Sequence, residues 1–509
     1  MKILVTGGTG VIGAGAIPAL LRAGHQVRLL SRGAERAAEG WPKSIEPFVA
    51  DIANPRPLRE ALAGCEAVLH VAGIIEESPP EATFEKVNVA GTRELCAAAE
   101  ATGRPFLIQV SSLGAERGES EYHRSKLRAE QHVRAYQGRW LILRPGNIYG
   151  PGDDTISMLL KMTRTLPAVP MVGEGDQPFQ PLWYADFGAA IARALSRTEL
   201  AGRTLELAGP DVTTTDAVLD LLAKITGRTP ARLEMPAWAT RFGASALEAF
   251  GGLGKRILAH AGFGAPINAA KLQMLLEGNV LADAKENALV SVLGLTPTRL
   301  HEGLETLADL LPEQTPGEGV GAVHRAVYAA EILRSKLSPP EMIDLVCERI
   351  ADLMPIEFAA EPDVATQAEL GTTLTGAIPG RGNIQVRLEE RTDMSATFVT
   401  IEGHPLAGVL TFATVALPNG VRFSVEVAAQ PANVADWIAM QAIGGVMQSR
   451  NWREVVRRVI DASGGEAPAG VQKQSERLTV EEAAQLGETV RRMIARRKRE
   501  EAEQAANSR

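Results

Sequence analysis

A chain of 509 residues exceeds what one ordinary hydrophobic core serves, so two or three domains are expected. Its 45% hydrophobic and 22% charged residues are the balance of a globular protein, and a net charge of −8 gives no basis for a nucleic-acid partner. Cys65, Cys96 and Cys347 lie without metal or disulfide spacing, no stretch approaches the roughly 18 apolar residues of a membrane helix, and Met1 runs straight into a strand. These features predict a cytoplasmic protein with no secretory signal, no transmembrane segment and no metal.

Up to about residue 150, apolar runs alternate with helical patterns, as in a parallel sheet covered by helices. Strands are predicted at Lys2 to Thr6, Val27 to Ser31, Pro47 to Ala50, Ala67 to Val71, Phe106 to Ser111 and Trp140 to Leu143. Helices are predicted at Val11 to Ala23, Phe84 to Thr102 and Tyr122 to Tyr136. From 151 to about 311 the elements shorten, which predicts a smaller substrate lobe at the C-terminal edge of the sheet. Pro312 to Gly319 opens a linker over 312–325. An α+β domain is expected over 326–465, with helices at Ala326 to Leu337 and Pro340 to Leu353. Its strands are expected at Ile384 to Glu390, Ala396 to Glu402, Gly408 to Leu417 and Val421 to Ala428, with Asn419-Gly420 as a hairpin signal. A long helix from Ala432 to Ala462 follows. Residues 466–509 are expected as a helical tail, with a capping box at Thr479-x-x-Glu482. The fold class is therefore α/β, a doubly wound parallel sheet with a substrate lobe, plus a C-terminal α+β domain and tail.

Thr6-Gly7-Gly8-Thr9-Gly10-Val11-Ile12-Gly13 follows a strand and opens a helix, the setting in which a glycine loop binds the pyrophosphate of a dinucleotide. Gly7 makes the tight turn, Gly10 admits the phosphates and Gly13 permits close packing of helix on strand. Arg32 ends the second strand, where NAD-preferring folds place an acidic residue; a guanidinium there suits the 2′-phosphate of NADP(H) over NAD(H). Asp51 and Ile52 fall where the adenine is held, and Ala72-Gly73 can pass close beneath the cofactor.

Tyr122-x-x-x-Lys126 sets a phenol and an ammonium one helical turn apart. A lysine near the hydroxyl lowers its pKa, so that it can exchange a proton with a carbonyl or alcohol. Ser111-Ser112, at the end of the preceding strand, can hydrogen-bond the same substrate oxygen.

The ordered set Thr6-Gly7-x-x-Gly10-x-x-Gly13, Asp51, His70-Val71-Ala72-Gly73, Asn88-Val89-x-Gly91-Thr92, Val110-Ser111-Ser112, Tyr122-x-x-x-Lys126, Arg144-Pro145-x-x-Ile148-Tyr149-Gly150 and Tyr184-x-Asp186 resembles the extended or atypical short-chain dehydrogenase/reductase superfamily, over residues 1–311. The resemblance is to its NAD-dependent epimerase/dehydratase-like branch. It implies that Tyr122 is the acid/base, Lys126 binds the nicotinamide ribose, Ser112 orients the substrate and Asn88 supports a proton relay, with Pro145 and Ile148 against the cofactor. The second lobe, through Gly202 to Pro210 and Leu293 to Leu304, is similar to the group of the NADPH-binding accessory subunit of respiratory complex I. The element order of 326–465 resembles the helix-grip ligand-binding fold, with a plain packing domain as the other reading.

The expectation is an NADP(H)-dependent oxidoreductase or epimerase/dehydratase acting on a small carbonyl or alcohol. The alternative is a non-catalytic NADP(H)-binding assembly or sensor protein, whose C-terminal region meets a ligand, a protein partner or a second copy. Other features weigh toward plain roles. His70 is expected to pack and His123 to lie at the surface. Asp153-Asp154 suits a turn, and Phe179 and Trp183 divide between pocket and core. The basic run from Arg491 to Arg499 is expected as a solvated helix face.

Overall fold

The structure is a computed structural model that describes residues 1–54, 56–172, 174–235, 279–358, 360–362, 364–378, 382–439 and 445–507. The first half alternates β1 (Lys2–Thr6), α1 (Val11–Arg22), β2 (Gln26–Ser31), α2 (Ala34–Ala38), β3 (Ile45–Val49), α3 (Leu58–Leu62) and β4 (Ala67–His70). A π-helical stretch, Glu85–Ala90, runs into α4 (Gly91–Ala101), followed by β5 (Phe106–Val110), α5 (Glu121–Ala135) and β6 (Trp140–Pro145). Beyond these lie β7 (Ile148–Tyr149), α6 (Ile156–Thr165), β8 (Ala168–Val172), β9 (Leu182–Trp183), α7 (Tyr184–Ser196), β10 (Arg203–Leu207), α8 (Thr215–Thr226) and β11 (Ala231–Met235).

Seven strands form one parallel sheet in the order β10-β6-β5-β4-β1-β2-β3. The strands read as unbroken apolar runs because both faces are covered. Ile3, Val5, Leu29, Leu69 and Ile108 pack on Ile17 and Leu20 of α1 and Phe187 and Ile191 of α7. Their neighbours Leu4, Leu30, Val68, Leu107 and Ile142 pack on α3, α4 and α5 through Leu58, Leu62, Leu95, Ala99 and Val133. The chain winds outward from β1 to β3 and then returns to β4 on the other side of β1. This reversal leaves a crevice at the C-terminal ends of β1 and β4, where open α/β sheets bind ligands.

The C-terminal half carries a second, antiparallel sheet. Its strands are β12 (His324–Leu333), β13 (Glu357–Phe358), β14 (Thr373–Ile378), β15 (Gly382–Thr392), β16 (Ser395–Thr400), β17 (Leu406–Leu417), β18 (Gly420–Pro431) and β19 (Gln472–Arg477). Their order is β13-β14-β15-β16-β17-β18-β12-β19. The four strands expected from sequence correspond to β15 through β18, and β17 and β18 form the expected hairpin. The helix expected at Ala326 to Leu337 is instead strand β12. Its alanines suggested a helix, but Tyr328, Ala330 and Ile332 alternate into the core, and that period of two decides the matter. Within the segment expected as a helical tail, β19 pairs with β12 before the helix Val480–Asn507 begins.

One face of this sheet holds Phe398, Phe412 and Phe423 against Met342, Ile343 and Val346 of helix Pro339–Glu348 and Val455, Val456 and Val459 of helix Gly445–Ser463. Residues 440–444 of the long helix expected there lie outside the described residues. The other face holds Val399, Val409 and Ala428 against Val490 and Ile494 of the tail helix, which Thr479 and Glu482 cap as their spacing predicts. The basic run on that helix is not wholly solvated: Arg497 is buried in ion pairs with Glu389, Glu313 and Glu501. The sequence hid this because two of the three acidic partners, Glu389 of β15 and Glu313, are far from Arg497 along the chain.

The segment around 312–318 lies along the second sheet, with the Gln314 amide donating to Thr400 O and the Glu402 amide to Pro312 O. The two halves meet where α6 and α8 face β15. Among the described residues no helix is long and apolar enough to cross a membrane.

Candidate functional site

The crevice opens into a single cavity of about 1320 Å3, more than the roughly 300–1,000 Å3 typical of a pocket for one small ligand. Its floor is the glycine loop. Gly7 adopts φ +69°, and a Cβ there would stand 2.5 Å from Ala72 N, so the turn after β1 tolerates only glycine against the end of β4. At Gly13 a Cβ would stand 1.9 Å from Gly8 O, which lets α1 begin directly beneath the loop. Helix α1 starts after Gly10 with no side-chain cap, so its first-turn amides and positive end are available to an anion in the cavity. This cradle fits a dinucleotide pyrophosphate.

Of the residues expected to hold a cofactor, Gly7, Thr9, Gly10, Val11, Ile12, Arg32, Asp51, Ile52, Ala72, Gly73, Pro145 and Ile148 line the cavity. Thr6, Gly13 and Lys126 do not stand among its lining residues; they sit just behind the wall. The Thr6 hydroxyl is buried, bonded to His70 Nδ1 at 2.8 Å and accepting the Ala72 amide at 3.3 Å, so it braces β1 against β4. His70 completes this brace through Nε2 to Thr92 Oγ1 at 2.9 Å. Burial and the nearby Lys126 charge hold the imidazole neutral, with its pKa down to about 3. It packs, as expected.

Arg32 is exposed at the cavity rim, and Arg36 of α2 stands beside it on the lining. The second arginine escaped sequence reading because α2 itself was not foreseen.

Four chemistry-bearing side chains converge behind and within the cavity. Ser112 and Tyr122 both line it. Burial raises the Tyr122 hydroxyl to about 12, partly offset by Ser112. Lys126 is buried and donates to Val110 O at 2.8 Å, and a Cβ on Gly73 would lie 3.4 Å from its Nζ. Burial lowers its pKa to about 8, against the opposing pull of Glu130. The expected lowering of the tyrosine pKa by the lysine is therefore not the arrangement here: the ammonium is turned to the backbone of β5.

Asn88 sits in the π-helical stretch, where the widened turn aims its amide inward. Its Oδ1 accepts the Ile74 amide at 2.8 Å, and its Nδ2 donates to Ile74 O at 3.1 Å and to Ser125 Oγ at 2.9 Å. Ser125 in turn donates to Tyr122 O at 2.7 Å, so Asn88 reaches the tyrosine through its backbone.

Beneath this group lies Glu130, fully buried, one turn beyond Lys126 on α5. It accepts two bonds from Arg144, at 2.9 and 2.8 Å, and one from Ser111 Oγ at 2.6 Å. The pair fixes the ends of β5 and β6 to α5. Glu130 went unnoticed in the sequence, although its i+4 spacing from Lys126 was visible.

His123 is a correction: it is buried, not at the surface, with Nδ1 bonded to Ser120 Oγ at 2.9 Å and its ring against Tyr122. The short loop before α5, through Gly114 and Ser120, folds over that face of the helix. Asp153 caps α6 by accepting the Thr155 and Ile156 amides at 2.8 and 2.7 Å, the turn role expected of it. Phe179 lines the cavity, whereas Trp183 packs between Tyr149 and Tyr184.

A glycine cradle at the switch point of a parallel sheet, with the Ser112 and Tyr122 hydroxyls at its side, defines a Rossmann-type domain. Residues 3–208 match the model of the NAD dependent epimerase/dehydratase family. It is 33% identical over 201 residues to a ceramide reductase of Caulobacter vibrioides, covering 39% of this chain and 62% of the relative. It is 28% identical over 240 residues to subunit 9 of the NADH dehydrogenase [ubiquinone] 1 alpha subcomplex of Arabidopsis thaliana, covering 46% of this chain and 60% of the relative. The chain thus spans about three fifths of the length of these relatives. A UDP-glucuronic acid 4-epimerase of Bacillus cereus, solved with UDP-glucuronic acid and NAD, superposes with a TM-score of 0.48 at 19% identity, over 61% of this chain and 98% of that one.

Proposed function

We propose that this protein is an NADP(H)-dependent oxidoreductase acting on a carbonyl or alcohol, with Tyr122 as its acid/base. The observation that carries the proposal is that the Ser112 and Tyr122 hydroxyls both line the cavity floored by the glycine loop. Bound NADPH supplies a hydride to the carbonyl carbon. The chain holds the carbonyl oxygen between the Ser112 and Tyr122 hydroxyls and gives that oxygen the Tyr122 proton as the C=O electron pair moves onto it. Burial keeps Tyr122 protonated at neutral pH, the form that reduction needs. Lys126, behind Gly73 with its ammonium bonded to Val110 O, is the group that would reach the ribose, and Asn88 with Ser125 keeps the first turn of α5 in place. Arg32 and Arg36 meet the 2′-phosphate, which favours NADP(H) over NAD(H). The family match and the reductase among the relatives support the reaction class. The same residues serve an epimerisation if the hydride returns to the carbon it left.

The test is NADPH consumption against a panel of aldehydes and ketones, with NADPH binding measured by calorimetry on the same protein. Net consumption of NADPH identifies a reductase. Tight binding without consumption, on every carbonyl offered, overturns the proposal in favour of a binding protein.

A further inference from the structure

Beyond the cofactor groove, the same cavity extends along α6 and β8, and here its wall changes character. Met158, Leu159 and Met162 stand on one face of α6, at spacings that bring them together on adjacent turns. Pro170 and Met171 from β8 and Phe179 continue the surface. The lining cations among the described residues, Arg32 and Arg36, both stand at the β2 end. A diphosphate or carboxylate placed against α6 would therefore find no cation on the described wall, whereas an alkyl chain would find apolar contact along these six residues, with Thr155, Gln177, Thr215 and Asn279 lining other parts of the cavity. Three of the six wall residues are methionines, whose unbranched thioethers adjust to chains of different shape.

We infer that the substrate of this site carries a long unbranched or lightly branched apolar chain, laid along α6, with its reacting oxygen at Ser112 and Tyr122. The inference rests on the reading of the cavity as an oxidoreductase site for the position of that oxygen, and on the wall alone for the chain. It makes α6 the specificity element. Each methylene laid on the wall adds affinity by leaving water, about three- to fourfold per methylene, until the wall is covered.

The test is calorimetric binding of butan-1-ol and decan-1-ol to the full chain in the presence of NADP+, in wild type and in Met158→Gln/Met162→Gln. The wild type is expected to bind decan-1-ol at least about thirtyfold more tightly than butan-1-ol, with the double variant losing most of that ratio. Circular dichroism and NADP+ affinity of the variant separate a local effect from misfolding, and Leu159→Ser serves as a second probe of the wall. Equal affinity for the two alcohols, or a ratio that neither variant changes, overturns the inference. Chain-length-dependent binding with no turnover of decanal by NADPH sinks the oxidoreductase reading and leaves the chain assignment standing.

Discussion

Arg164 on α6 and Glu361 form a two-point ion pair, Nε to Oε1 at 2.9 Å and Nη2 to Oε2 at 2.8 Å, between residues 197 apart in sequence. Both side chains are buried, at 3% and 2% exposure, and further bonds satisfy them. Arg164 Nη1 donates to Gln385 Oε1 at 2.7 Å, and Asn383 Nδ2 donates to Glu361 Oε1 at 3.1 Å. The helix whose one face walls the cavity is thus fastened through another face to the second sheet, with Lys161–Glu402 alongside.

Removing one partner leaves the other charge buried and uncompensated, so Arg164→Met or Glu361→Met alone should cost about 3–5 kcal/mol of stability. Replacing both with methionine should recover a large part of that loss, because two apolar side chains of similar volume need no solvation. Urea denaturation of the three variants checks this. Single variants within about 1 kcal/mol of wild type would show that the pair carries little of the contact between the two halves.

The proposed preference for NADP(H) rests on Arg32, just after β2, and Arg36 of α2. Arg32→Ala/Arg36→Ala should weaken NADPH binding by roughly 10- to 100-fold, the range for losing charge-assisted bonds to a phosphate. NADH affinity should move much less, since it offers no 2′-phosphate. Parallel titrations of the two cofactors provide the measurement, and equal losses for both would remove the phosphate assignment.

Lys126 gives the pH dependence its sign. Burial holds its folded-state pKa near 8, below the ordinary 10.5, so the ammonium is lost as pH rises through about 8. Tyr122 remains protonated across this range. Reductive kcat/KM should accordingly fall above about pH 8, and Lys126→Met should be slow with no such fall. The stability effect runs the other way. Between about pH 8 and 10.5 the unfolded chain holds a proton that the folded one has released, so this group makes unfolding harder as pH rises. A kcat/KM profile flat from pH 7 to about 9.5 would contradict the role given to the lysine.

Glu130 should act as a positioning residue. Glu130→Gln keeps the shape but removes the charge opposite Arg144, and it weakens the acceptor for Ser111. Stability should drop by about 3–5 kcal/mol. The apparent pKa of the reductive profile should also move down, because Glu130 is the charge that supports Lys126 in its protonated form. An unmoved profile would confine Glu130 to a structural role.

The half of the molecule built on the parallel sheet was largely legible from sequence, for a physical reason. Fully buried parallel strands such as Ile3-Leu4-Val5 have no polar alternation to confuse with a helix, and Gly7 and Gly13 stand where backbone contacts exclude any Cβ. What escaped was set by contacts distant in sequence. The buried Glu130–Arg144 pair and the docking of Arg497 on Glu389 depend on partners that only the fold brings near. The alanines of β12 favoured a helix locally, while pairing with β18 on one side and β19 on the other decided for a strand. His123 looked like a surface residue on the helical wheel, and the loop through Ser120 covers it.

The central claim is that Tyr122 gives a proton to an oxygen whose carbon receives a hydride from NADPH. Its most direct test uses NADPH deuterated at the transferred position of C4 and a medium-chain aldehyde, with wild type and Tyr122→Phe. Deuterium should appear on the product carbinol carbon, and the phenylalanine variant should be slower by about 100- to 10,000-fold while still binding NADPH. Turnover by Tyr122→Phe at the wild-type rate, or product without deuterium at that carbon, would contradict the account.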